Sequence, residues 1–127
     1  MSLFFGLFGA NTTSESSKVP WIPLISMEQL AELTEQSFEK RVLIFKHSTR
    51  CGISRNVLKQ FENEYDLDTE VDAYYLDLLE YRPISSAIAT QFSVTHQSPQ
   101  LILMKNGQVV HHASHSDIDA QLLKKYL

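Results

Sequence analysis

The sequence predicts a single α/β domain built on a central mixed five-stranded sheet, in the order β-α-β-α-β-α-β-β-α. Three observations predict it. Short apolar runs of strand length alternate with stretches whose apolar residues recur at three and four. After the third such stretch, two apolar runs follow one another directly, joined by Asn106-Gly107. The chain has 127 residues, 43% hydrophobic and 20% charged, which is one domain of ordinary globular composition.

Trp21-Ile22-Pro23-Leu24 is a short apolar run with a proline, suited to an edge strand. Ser26 with Gln29 three residues later reads as a capping box, and Met27, Leu30, Ala31, Leu33 and Phe38 follow as the helix face. Val42-Leu43-Ile44-Phe45 is a continuous β-type run, as in a strand buried on both faces. His47 to Arg50 is polar and reads as a loop. Ile53, Val57, Leu58, Phe61 and Tyr65 mark the second helix, and Val71 to Leu78 the third strand. Pro83 suits a first helical turn, ahead of Ile84, Ala87, Ile88, Gln91 and Phe92. Leu101 to Met104 and Val109-Val110 flank Asn-Gly, a strong hairpin signal. Ser116 is the expected cap of a last helix, with Asp117 and Asp119 in its first turn and Lys124 and Lys125 near its end. Helical crossovers make the first three strands parallel, and the hairpin adds two antiparallel ones.

Residues 1–18 begin with Leu3, Phe4, Phe5, Leu7 and Phe8 and continue rich in Asn, Ser and Thr. The first basic residue, Lys18, comes after the apolar part, unlike a signal peptide. The segment is read as a flexible tail, with a weak membrane-surface anchor as the alternative, and residues 19–127 as the folded domain.

Lys plus Arg number 11 and Asp plus Glu 15, a net charge of −4, which argues against nucleic acid as a main partner. No apolar run approaches the roughly 20 residues that span a bilayer, so stable membrane insertion is not expected. One cysteine excludes an intramolecular disulfide and suits a reducing, cytoplasmic compartment. The sequence leaves the oligomeric state open.

That cysteine, Cys51, stands between the second strand and the second helix, in Lys46-His47-Ser48-Thr49-Arg50-Cys51-Gly52-Ile53-Ser54-Arg55. At a helix start, unpaired backbone N–H groups and the helix dipole favour a thiolate, and Arg50 and Arg55 add whole charges. A thiolate is the attacking species in disulfide exchange. Ser54 occupies the place where a dithiol oxidoreductase carries its second cysteine, so any disulfide made at Cys51 must be resolved by an outside thiol. Ser54 is read either as a donor to the thiolate or as part of the first turn. Gly52 leaves one more N–H near the sulfur. Ser98-Pro99, opening the fourth strand, suits a cis peptide in a tight turn, beside which backbone can pair with an extended substrate. His47, four residues before Cys51, is a candidate base or ion-pair partner, and His96 a candidate lining residue. His111, His112 and His115 are not read as metal ligands, because neighbouring strand residues point to opposite faces.

Taken together, Cys-x-x-Ser at a helix start, a proline before the fourth strand and Lys105-Asn106-Gly107 in the hairpin resemble a thioredoxin-like fold. Over roughly residues 20–127 the closer resemblance is to the monothiol bacilliredoxins. It is carried by Phe45 to Cys51, Tyr75-Leu76-Asp77-Leu78, Tyr81-Arg82, His96 to Gln100 and Ala113 to Ile118. The resemblance implies a three-layer α/β/α fold. It implies that Cys51 takes bacillithiol from a protein mixed disulfide, that a second low-molecular-weight thiol releases it, and that Pro99 is a cis proline beside the sulfur. The implied partners are S-thiolated proteins and the small thiol as co-substrate, with no further cofactor. Arg50 and Arg55 suit the carboxylates of such a thiol. One departure stands out: the family commonly has Thr-Arg-Cys-Pro-Ile-Ser, and this chain has Gly52. Cys-Gly-Ile-Ser resembles Cys-Gly-Phe-Ser of monothiol glutaredoxins, which hold an iron–sulfur cluster, but their upstream lysine and proline pattern is missing. The alternatives are such a cluster carrier and a non-catalytic binding module on the same fold.

Overall fold

The structure, a computed structural model, describes residues 18–67 and 70–127, so the flexible-tail reading of residues 1–18 falls outside it except at Lys18. The elements are β1 (Ile22–Pro23), α1 (Met27–Gln36), β2 (Arg41–His47), α2 (Gly52–Glu64), β3 (Val71–Asp77), α3 (Arg82–Gln91), β4 (Gln100–Lys105) and β5 (Gln108–Ser114). Two 3₁₀ segments, His115–Asp117 and Ala120–Tyr126, follow. The sheet order is β1-β3-β2-β4-β5. β1 and β2 lie parallel to β3, and β4 is antiparallel to both β2 and β5, as the crossover and hairpin signals predicted.

β2 is the centre of the molecule. Val42 through His47 are all buried, because the strand has neighbours on both edges and helices over both faces. Successive side chains go to opposite sides. Leu43 and Phe45 join Phe61 and Tyr65 of the α2 side with Leu101, Leu103 and Leu123. Val42 and Ile44 join Leu30 and Leu33 of α1, Ile84 and Ile88 of α3, and Ile102 and Met104. The result is three layers, as the resemblance implied.

The capping box of α1 forms with one shift. Ser26 Oγ accepts from Gln29 N at 3.2 Å, while Gln29 Oε1 takes the N–H of Ile25 at 2.7 Å, not that of Ser26. The buried stripe of α1 is narrower than expected: Leu30 and Leu33 are sealed, but Met27 is 45% exposed and Phe38 58%. Phe38 lies past the helix end and sets its ring against the hairpin turn. There Asn106 and Gly107 take φ of 56° and 77° between the paired Lys105 and Gln108. These are the left-handed dihedrals that a two-residue hairpin needs. Ser37 ties the turn down, its carbonyl accepting from Asn106 N at 2.8 Å and its hydroxyl from Gly107 N at 2.7 Å.

The last helix differs from expectation. Ser116 caps nothing; it sits inside the 3₁₀ turn His115–Asp117. Ile118, extended at φ −70° and ψ 122°, drives its side chain into the core and so breaks the helical run. Asp119 then becomes the cap, its carboxylate accepting from Gln121 N at 2.9 Å, and Ala120–Tyr126 coils as a 3₁₀ helix. No helix among the described residues is long and apolar enough to cross a membrane.

Replacing Gly107 by alanine puts a Cβ at 2.8 Å from the Phe38 ring and strains a left-handed residue. Gly107→Ala is expected to lower stability by about 1–2 kcal/mol in urea unfolding.

Candidate active site

Register brings the loops of the site together. His47 at the end of β2 pairs in parallel with Asp77 at the end of β3, so both strands empty toward the same side. β4 runs the other way, with Gln100 at its start opposite Lys46, so the Pro99 loop arrives where β2 finishes. Ligands of open α/β sheets bind at such strand ends.

Cys51 is the N-cap of α2, with φ −101° and ψ 122°, and is partly exposed. Its N–H donates to Ser48 O at 3.2 Å, and its carbonyl accepts the first helical bond from Arg55 N at 3.0 Å. The sulfur therefore leaves the chain at the positive end of a 13-residue helix, where negative charge is favoured. Arg50 is exposed beside it. Arg55 folds back over the loop, Nη1 donating to Thr49 O at 3.1 Å.

His47, the candidate base or ion-pair partner, and Ser54, the candidate donor to the thiolate, lie beneath the surface. His47 is 2% exposed and Ser54 0%. They share a hydrogen bond of 2.7 Å between His47 Nδ1 and Ser54 Oγ, and Ser54 Oγ also accepts from Ser48 N at 3.2 Å. Ser54 is on the inward side of the first turn of α2, so its hydroxyl braces the turn that carries Cys51 and no incoming substrate reaches it. Burial holds His47 below the usual histidine range, opposed by the charge of Asp77 and assisted by that of Arg55. Ile53, read from its spacing as part of the helix core stripe, is instead 68% exposed next to Cys51.

The Ser98–Pro99 peptide is cis. Pro99 is buried, Ser98 partly exposed and His96 exposed. Beneath this loop the sequence reading missed Lys46, which is 0% exposed. Its Nζ donates to Gln100 Oε1 at 2.9 Å and meets His96 Nδ1 at 2.8 Å. Burial pulls the Lys46 ammonium down to about 8. His96 is held below its ordinary value by burial and by the Lys46 charge. The available signal was a lysine closing an otherwise apolar strand.

A cleft of about 310 Å³ opens at the loop that precedes Cys51, lined by Thr49, Arg50, Asp77, Leu79, Glu80 and Arg82. A second, of about 360 Å³, is bounded by Arg82, Ser85 and His96 among others. Arg82 borders both. Of the three histidines on or after the hairpin, His111 stacks on Tyr126 with ring centroids 4.8 Å apart.

Gly52 opens α2 without needing glycine's freedom. A Cβ there would meet only Arg55 Nη2, at an ordinary 3.7 Å. Cys51 before it already holds the extended backbone that a following proline requires. Gly52→Pro is therefore expected to raise stability by about 0.4–1 kcal/mol, read as a higher thermal midpoint. A second expectation concerns Lys46. Between pH 8 and 10 unfolded chains retain a proton that native Lys46 has lost, so native stability gains as pH rises. Urea midpoints should rise over that range for wild type relative to Lys46→Met.

The profile of the monothiol bacilliredoxin family BrxC matches residues 22–123. A solved structure provisionally described as an oxidoreductase with a thioredoxin fold is 35% identical, covers 83% of this chain and 91% of its own, and superposes with a TM-score of 0.71. Thioredoxin from Nicotiana alata superposes at 0.67 with 21% identity, over 93% of this chain and 95% of that one. Thioredoxin from Malassezia sympodialis superposes at 0.65 with 21% identity, over 87% and 88%. The last two speak for the thioredoxin fold alone. With the match spanning the sheet, the Cys51 turn and the Pro99 loop, the chain belongs to the monothiol bacilliredoxin family and is a thioredoxin-fold thiol oxidoreductase.

Proposed function

We propose that this protein removes a low-molecular-weight thiol, bacillithiol, from protein mixed disulfides. The observation that carries the reading is a partly exposed Cys51 at the start of α2 with Ser54, not a second thiol, packed beneath it. The Cys51 thiolate attacks the bacillithiol sulfur of the mixed disulfide. A Cys51–bacillithiol disulfide forms, the original bond breaks, and the protein sulfur leaves as a thiolate that takes a proton from water. A second small thiol, as thiolate, then attacks the bacillithiol sulfur, giving a small-molecule disulfide and returning Cys51 to the thiolate.

The cleft at Arg50 and Arg82 supports this choice of substrate. Two guanidinium groups suit the carboxylates of the small thiol, and Asp77 and Glu80 suit its amine. Arg55 braces the loop through Nη1 on Thr49 O, and its remaining donors, with Nη2 beside Gly52, suit the same carboxylates. Ser98 and the exposed side of the Pro99 loop serve the polypeptide half of the substrate. Chemistry of this kind belongs in a reducing, cytoplasmic compartment.

A protein–bacillithiol conjugate tests the reading. Wild type should release the small thiol, and Cys51→Ala should release none above the uncatalysed rate. Arg82→Ala should raise KM about tenfold with kcat little changed, as for loss of one charge-assisted contact. Equal release by wild type and Cys51→Ala would remove the enzyme reading.

A further inference from the structure

A single buried ammonium holds both flanks of the Pro99 loop. Lys46 lies in the central strand with no exposed surface, and its Nζ reaches His96 on one side of the loop and Gln100 on the other, at 2.8 and 2.9 Å. Gln100 in turn donates through Nε2 to Thr95 O at 3.0 Å. Residues 95, 96 and 100 are thus tied to one point, and the segment between them has fixed ends. On α3, Ser85 Oγ lies 3.5 Å from the same His96 nitrogen. Burying an ammonium is a poor way to gain stability, since an apolar side chain of similar volume often does as well or better. What the ammonium adds is several donors at one place, able to satisfy acceptors from a strand and from a loop together.

We propose that Lys46 is a positioning residue for exchange at Cys51, clasping the Pro99 loop at His96 and Gln100 so that its backbone is set for the polypeptide half of a mixed disulfide. The proposal rests on the exchange reading above. The loop and the Cys51 turn leave the sheet at the same end from neighbouring strands, so a polypeptide carrying its disulfide to Cys51 meets the loop. A loosened loop costs orientation, while the sulfur, seated on α2, keeps its own environment.

Two variants and three measurements test it. Lys46→Met removes the clasp from its centre, and His96→Ala removes one arm at the surface and preserves the buried strand. In both, amides of residues 95–98 are expected to exchange hydrogen faster than in wild type. In both, kcat/KM on a protein–bacillithiol conjugate should fall about tenfold. The rate at which iodoacetamide alkylates Cys51 should stay within about twofold of wild type, a readout that general loosening of the fold would move. Unchanged exchange at 95–98 overturns the proposal, as does a loss of turnover matched by an equal loss of alkylation. If wild type itself shows no turnover above Cys51→Ala, the exchange reading falls and the role of Lys46 in exchange falls with it. A loosened loop would then mark the clasp as structural only.

Discussion

Everything at the site depends on β2 being immobilised from four directions. β3 and β4 pair along its two edges, and two separate apolar clusters close over its faces. A strand so enclosed cannot shift its register without turning every core side chain to the wrong layer. Its last two residues inherit that rigidity and carry it outward in opposite directions. Lys46 faces the Pro99 loop, and His47 faces the first turn of α2. The Pro99 loop and the first turn of α2 are each tied by one side chain to the same dipeptide.

This arrangement also explains where polar groups are admitted to the interior. Lys46, His47, Ser54, Ser85 and Gln100 are buried polar residues at the functional end, and each has a hydrogen-bonding partner there. At the opposite end of β2, Val42 and Leu43 face Met104 and Leu103, and the buried polar residue there is Ser37, which holds the hairpin turn. The buried ionisable side chains, Lys46 and His47, are both under the reactive loop, where geometry matters more than maximal stability.

Much of the fold was legible in the sequence because its signals are local. The unbroken run Val42 to Phe45 marks a doubly buried strand, Asn106-Gly107 a two-residue hairpin, and Ser26 with Gln29 a helix start. Cys51 was legible for the same reason, as a junction between two periodicities. The charged cleft was not, because Arg50 comes before α2 while Asp77, Glu80 and Arg82 come after it, and only the parallel register joins them. The final segment misled because Ser116 and Asp119 are both good caps, and the choice between them is made by where Ile118 must be buried. Lys46 was hidden by its neighbours: a charge in an apolar run reads as the strand's end, yet here it is inside.

Ser54, closed off under the reactive turn, has a kinetic consequence. A chain with one cysteine has no internal route to clear a bound adduct. On the proposed chemistry, the lifetime of the loaded form is set from outside, by collision with free small thiol. When that pool is plentiful the adduct is brief and the protein cycles. When the pool is depleted the adduct accumulates, and the protein stays capped in proportion to the shortage. The absence of a second cysteine would thus couple the turnover of each molecule to the reducing reserve of its surroundings.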